Sequence, residues 1–546
     1  MILLLLSTIL LLPVFMGAGK MMESFSGKIA NGISGKILSG ILGISVLWTV
    51  LSFFIPLTIY VELPTIAVGL AYFFRNRLYR AFSAFPKKEV LLIGIITGMI
   101  LFCGSFYPYI LDHFGYYVPT IKWLTEFGLV KGISNLDLTL GQMSVWHIFQ
   151  AGFSNFSDPF LRINAILLVV YALYIVENKN WLQLCFVPVL FLFSQSPSPD
   201  LPVIVFSLII LHQILKRNGN TMILFAFSVF VFAIKPTMIW LPLLSFLYSI
   251  LIIKSRLTNF IPGIFIALLF FIKNIWTFGY PVFPLALGDL NVSWKPNPEV
   301  LKISSRFAIQ KTYDMQYSYE EIQRFSLFDY VKNWLFLEGI KSKIHLLFIF
   351  SILIFVIFSI IKKNRIISLI CISVVVKSIL VLLFSAQYRF FIDVFFVIFF
   401  VIFMDYFNRK KSIAVFSVLS LMFIGSITLP GILQMYLPSF RPGSFMGKFE
   451  VEQLYRPSTY HYNNYASYRL GNLKFNVSKK YPFNFDTELP AISESYISDD
   501  VKAGIFPQMR DPQNVKKGFI WKKLNPEERK SALHIINSIN CSYQQN

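Results

Sequence analysis

Asp112 opens the run Asp112, His113, Phe114, Gly115, Tyr116, Tyr117, a few residues beyond the end of an apolar segment. A carboxylate at that depth sits at a membrane surface, where it is suited to take a proton from an acceptor hydroxyl during group transfer. It shares the polar stretch 107–159 with Glu126, Asp137 and Asp158. In an otherwise apolar chain, such a stretch is where water-dependent chemistry has to sit. By residue type alone, Asp112 also reads as an ordinary loop acid or helix cap. His113 and His147 read as structural hydrogen-bonders, and Trp123 and Trp146 as anchors at the membrane interface. Residues 121–129 read as a short amphipathic surface helix, and 141–147 as the start of another surface or re-entrant helix.

The elements that must position this stretch are apolar. Of 546 residues, 55% are hydrophobic, 17% aromatic and only 14% charged, against roughly 25% charged in soluble proteins. The fold class is therefore an all-α membrane protein, a polytopic bundle. The net charge of +21 lies largely in short links between apolar runs, the pattern of cytoplasmic loops and not of nucleic-acid binding. A bilayer-length window gives about fourteen candidate spans, near 1–16, 41–56, 58–74, 90–107, 161–176, 181–194, 201–215, 221–234, 237–253, 260–272, 344–361, 366–384, 389–407 and 412–430. Alternate links are basic, among them Lys216-Arg217, Lys254-Ser255-Arg256 and Lys362-Lys363-Asn364-Arg365, and should face the cytoplasm. The large polar segments 107–160 and 273–343 and the C-terminal region then share the outer side. We expect a transmembrane domain over 1–432 and an extracytoplasmic, loop-rich cap over 433–546. In the cap, Asn525, Pro526, Glu527 and Glu528 signal a helix start. Four scattered cysteines give no disulfide framework, and no CxxC, HExxH or Walker-type loop is present.

Three patches carry a resemblance. Asp112 with Tyr116 and Tyr117, the run from Trp123 to Leu136, and Gly141, Gln142, Ser144 and Trp146 look like the first outer loop of a group of bacterial membrane proteins similar to GT-C glycosyltransferases. The run from Lys273 to Pro284 and the patch Tyr388, Arg389, Phe390, Phe391 resemble two further motifs of that group. The resemblance implies a multi-pass protein of the bacterial inner membrane. It would move a sugar from a polyprenyl-phosphate donor to a glycan or lipid acceptor on the outer face, with Asp112 as the catalytic acid of the first loop. The loop lacks an Asp-x-Asp pair, so no cofactor is assigned and a divalent metal stays open.

A lipid-linked donor needs cations near the outer surface to hold phosphate. Lys235, Lys273 and Arg389 each stand where a span meets that side. Arg389 fits best because its guanidinium binds phosphate bidentately, although Asp393, one turn on, offers it a partner. Lys235 also fits simple snorkelling. Trp276 and Tyr280, around the turn Gly279-Tyr280-Pro281, are suited to line a sugar or isoprenoid groove as well as to plain aromatic packing. Lys377 falls within a span and calls for an acidic partner or a lipid phosphate. Two further classes of function share these features. One is a polymerase or ligase of lipid-linked glycans, and the other is a transporter or flippase, for which Pro236, Pro242 and Lys377 hint at broken helices. A scaffold for envelope assembly, indifferent to Asp112, is the non-catalytic case.

Overall fold

The computed structural model describes residues 1–431, 435 and 449–544, so the expected domain boundary at 432/433 lies outside the described residues. Every expected span falls on a helical segment. Among the described residues, seven helices are long and apolar enough to cross a membrane: Ile2–Ser26, Ile33–Ser52, Pro236–Ile253, Leu257–Phe278, Ile340–Lys362, Arg365–Phe384 and Arg409–Thr428. Five shorter apolar helices join them, Ile163–Asn178, Trp181–Phe193, Asp200–Leu215, Thr221–Ile234 and Ile392–Phe403. Ile59–Arg75 and Lys87–Gly104 complete the set. The first two helices depart most from expectation: one runs on to Ser26 and the next begins at Ile33. Glu177 explains the early start, since its carboxylate accepts the Ile33 and Ser34 backbone N–H groups and so caps that helix.

Burial sorts the helices into inner and outer ones. In Asp200–Leu215, every residue from Leu201 to Ile214 is buried, as a helix apolar on all sides requires. In Ile340–Lys362, Leu347, Phe350, Leu353, Ile354 and Ile357 stay exposed, an apolar stripe fit to face hydrocarbon. Small residues let the N-terminal helices approach closely. A Cβ on Gly17 would lie 1.8 Å from the Gly69 carbonyl oxygen, and one on Gly40 2.0 Å from that of Phe15.

Two buried charges fasten the polar stretch 107–160 to this bundle. Glu62 accepts backbone N–H bonds from Asn155, Phe156 and Ser157 at 3.1, 2.9 and 2.7 Å. Arg162 donates to the carbonyls of Gly104, Phe160, Phe106 and Ser458 at 2.8, 2.6, 3.3 and 2.7 Å. A charge taken out of water persists only when so satisfied. Trp123 and Trp146 prove to be core residues instead of interfacial anchors. Trp123 meets Phe519 of the C-terminal region edge-on, and Trp146 donates its indole N–H to Asn164 Oδ1 at 2.8 Å. The helix Val145–Phe153 is likewise buried at all nine positions, inside the body and not on its surface.

The C-terminal region holds more regular structure than its weak periodicity foretells. Tyr465–Leu470 pairs antiparallel with Leu473–Ser478, and Ile505–Met509 with Phe519–Lys523. Helices Glu494–Lys502 and Pro526–Gln544 pack with them around Phe475, Val477, Ile497 and Phe506. Asn525 does cap the last helix. Its side chain accepts the Glu528 N–H at 2.8 Å while Glu528 accepts the Asn525 N–H at 3.0 Å, a reciprocal box. This region closes over the polar stretch through Phe519 N–H to the Lys131 carbonyl at 2.9 Å and Lys122 Nζ to the Thr487 carbonyl at 2.9 Å. Gly132 has a φ of +59, and a Cβ there would stand 2.5 Å from the Phe519 carbonyl oxygen, so only glycine fits this junction.

Candidate functional site

Beyond Lys87–Gly104 the chain turns through Asp112 into a single π-helical turn, His113–Tyr117, and continues as the helix Val118–Glu126. Arg389 lies on a separate 3-10 turn, Tyr388–Phe390, between Arg365–Phe384 and Ile392–Phe403. The two meet across 277 residues of sequence, with Arg389 Nη1 donating to Asp112 Oδ2 at 3.0 Å. Both side chains are about half exposed, 48% for Arg389 and 45% for Asp112. A pair so open to water is weak, worth roughly 1 kcal/mol or less, and exchangeable.

Behind it stand two more ion pairs of increasing burial. Lys235 is the extended residue that ends Thr221–Ile234 before Pro236, and it pairs with Asp200 at the start of Asp200–Leu215. Its ammonium also donates to the Arg389 carbonyl at 3.2 Å and lies 5.3 Å from the Phe390 ring centre. Lys377 pairs with Asp393, both fully inside the helices, and reaches Met238 Sδ at 3.8 Å. Asp393 is thus taken by Lys377 and not by Arg389. Because Ile392–Phe403 starts only after the 3-10 turn, residue 389 faces outward while 393 points into the bundle. Three acids and three cations so form a ladder from solvent to core. Lys311, on the helix Pro298–Thr312, adds a positive charge close to its outer rung. Burial, and then the Arg389 charge, push its ammonium below the usual lysine range.

Tyr116 and Tyr117 lie under the outer rung. Their ring centres stand 5.3 and 5.1 Å from that of His147. Tyr117 hydrogen-bonds with the Ser198 side chain, and burial first, then the Asp200 and Asp112 charges, raise its phenol well above the usual tyrosine range. His113 Nδ1 lies 3.2 Å from Ser196 Oγ. Burial holds both imidazoles neutral, His113 well below its ordinary value and His147 down to about 3. Such groups are poor proton acceptors at neutral pH. Asp112 is the acid here with both exposure and a nearby cation.

The other expected site residues are placed elsewhere. Lys273 is fully buried and donates to the Gln142 and Met143 carbonyls at 2.7 and 2.9 Å, so its side chain holds the first polar segment in place. Trp276 donates its indole N–H to the Leu129 carbonyl at 3.2 Å and carries the Lys131 ammonium 4.3 Å from its ring centre. Tyr280 is buried with Leu138, Phe278, Val300 and Ile505. These aromatics join the two polar segments to each other and to the C-terminal region, and neither makes a contact with Asp112 or Arg389 among the described interactions. Sequence reasoning missed Asp200, Lys311, Ser196 and Ser198 as neighbours of that pair. The link 195–200 carries no Lys or Arg, which favours the side opposite the basic links, where Arg389 stands; that is the one signal pointing to three of them. Among the described residues, no group of three or more His, Cys, Asp or Glu is arranged to hold a metal ion.

Two further acids of the segment are raised by burial. Asp137, which accepts the Thr139 N–H at 3.0 Å, is pushed up to about 6, and Asp158, which accepts the Arg162 N–H at 2.9 Å, to about 7. A carboxyl whose folded pKa exceeds its unfolded value binds more protons when folded, so its contribution to stability falls as pH rises between the two. For Asp158 that window runs from its ordinary 3.8 to about 7. His113 and His147, lowered by burial, contribute in the opposite sense, so the native protein is compared with Asp158→Asn, which keeps the acceptor oxygen. We expect the unfolding midpoint of the detergent-solubilised variant to gain on that of the native protein as pH rises across this window. A difference between the two that does not change with pH contradicts the assignment.

No curated protein and no solved structure matches the chain. A family model does, over residues 1–396, and the matched region contains all six members of the charge ladder. The chain therefore belongs to the family described as a domain of unknown function, DUF8201.

Proposed function

We propose that this protein is a GT-C-like membrane glycosyltransferase. It moves a sugar from a polyprenyl-phosphate donor to a glycan or lipid acceptor on the outer face of the bacterial inner membrane, with the C-terminal region extracytoplasmic. The observation that carries the reading is the exposed Asp112–Arg389 pair, formed between the first polar segment and a late helix mouth. A donor phosphate competes with Asp112 for the Arg389 guanidinium, and its two oxygens match the planar fork better than one carboxylate oxygen does. Lys235 and Lys311 add positive charge at the same mouth. Once displaced, the Asp112 carboxylate is available to accept the proton of the attacking hydroxyl as the glycosidic bond forms and the polyprenyl phosphate leaves. Tyr116 and Tyr117 form the floor beneath it. Lys273, Trp276 and Tyr280 take no part in this reading except as supports.

The test is a mass-spectrometric comparison of envelope glycans and polyprenyl-linked sugars in cells with the native protein, a deletion, or Asp112→Asn at matched membrane abundance. Loss of one sugar with accumulation of its donor in both altered strains is the expected result. Altered glycans in the deletion but native glycans in Asp112→Asn would remove the catalytic assignment. One observation favours a second reading, transport of a lipid-linked saccharide: the Lys377–Asp393 pair is buried within the helices, where charges commonly line a translocation path. Transport predicts donor trapped on the cytoplasmic side, with no new glycosidic bond made by the purified protein.

A further inference from the structure

At the opposite end of the bundle, a concavity of about 510 Å³ is lined by Arg217, Lys254, Lys362, Lys363 and Arg365 together with Leu251, Ile252, Asn364 and Ile366. No carboxylate is among its walls, and none of the five cations forms an ion pair among the described residues. They come from three separate connections: that after Asp200–Leu215, that after Pro236–Ile253, and that between Ile340–Lys362 and Arg365–Phe384. The preference of cytoplasmic links for lysine and arginine places cations on one side of a membrane, but does not make three links converge on one hollow. Five like charges gathered without a counter-charge repel one another, and an anion seated among them removes that cost.

The position is also informative. Asp200–Leu215 and Arg365–Phe384 each begin or end at the charge ladder and finish at this hollow. Their 16 and 20 residues correspond to roughly 24–30 Å at about 1.5 Å per residue, close to the hydrocarbon thickness of a bilayer. The hollow therefore lies at headgroup depth of the leaflet opposite Asp112. Leu251 at its edge is open as well, 54% exposed, and Ile252 is partly so, so the site offers cations to an anion and hydrocarbon to what is attached to it.

We propose that this concavity binds a phosphate group, presented by the headgroup of an anionic phospholipid and held by Arg217, Lys254, Lys362, Lys363 and Arg365, with Leu251 and Ile252 against the glycerol and upper acyl chain. A soluble phosphate shares the polar half of this chemistry. The proposal is independent of the transferase reading.

The experiment uses the full chain in an uncharged detergent. Retention of added phosphatidylglycerol, phosphatidylcholine or inorganic phosphate is measured by native mass spectrometry and by the shift in unfolding temperature. Selective retention of phosphatidylglycerol is expected, weakening as salt is raised. With about 1 kcal/mol per cation near a headgroup, Lys362→Gln/Lys363→Gln/Arg365→Gln should lower affinity roughly a hundredfold. Arg217→Gln, from a different connection and a milder change to the fold, should lower it several-fold. Equal effects of inorganic phosphate and phosphatidylglycerol would overturn the lipid as the source. Retention of phosphatidylglycerol unchanged in both folded variants, or no preference over phosphatidylcholine, would overturn the site.

Discussion

Asp112→Asn is expected to lower the proposed sugar transfer by about 10²–10⁴-fold, the range associated with a positioned general base, while leaving donor affinity within a few-fold of native. The amide keeps the size of the carboxylate and can still meet Arg389, so the fold and the phosphate contact survive. What is lost is the capacity to take a proton. Arg389→Ala should separate from it by raising KM for the donor, because a charge-assisted bond of roughly 1.5–3 kcal/mol to phosphate disappears. Arg389→Lys should recover only part of that affinity, since an ammonium cannot replace the bidentate fork. The two side chains are exposed and their pair is weak, so neither change should move the unfolding midpoint by more than a degree or two. Purified protein in lipid discs, assayed with a polyprenyl-phosphate sugar, gives the kcat and KM split. An Asp112→Asn enzyme with native kcat, or an Arg389→Ala enzyme with native donor affinity, would remove the corresponding role.

The second large effect is on stability. Lys377 and Asp393 are paired out of reach of water, and removing one partner leaves a buried charge uncompensated at a cost of about 3–5 kcal/mol. Lys377→Met should therefore unfold the protein at markedly lower temperature. The double change Lys377→Met/Asp393→Leu should recover most of the loss, because apolar residues of similar volume replace a buried pair at little or no cost. Thermal unfolding of both variants in the same detergent gives the comparison. A single variant as stable as the double one shows that the pair contributes no such coupling. Activity of the double variant then separates structure from function. Native transfer marks the pair as a fold determinant, whereas a stable but inactive double variant places it in the working path from the ladder into the bundle.

Local pattern and tertiary packing contributed different things. Hydrophobic runs marked the apolar helices of the bundle, because a helix must bury or expose to lipid every apolar residue it carries and that demand is written residue by residue. The Asn525 cap was legible for the same reason, since its partners lie within three positions. Lys377 was recognisable as needing an acid, and the one acid that spacing offered to Arg389, Asp393, is the one that Lys377 takes. The 3-10 turn before Ile392 rotates Arg389 away from Asp393, and only the folded chain brings it to Asp112, 277 positions earlier. Lys273 and Trp276 carried the chemical types of a site but became supports, because carbonyls at Gln142, Met143 and Leu129 reached them first, and Tyr280 is packed among apolar side chains. Trp123 and Trp146 look like membrane-surface anchors until the C-terminal region and Asn164 cover them. By itself, then, the sequence determined a bundle of apolar helices and the polar segments between them. The tertiary structure alone decided which charges meet, because ion pairing depends on distances of a few ångströms between segments hundreds of residues apart, and no local periodicity encodes those.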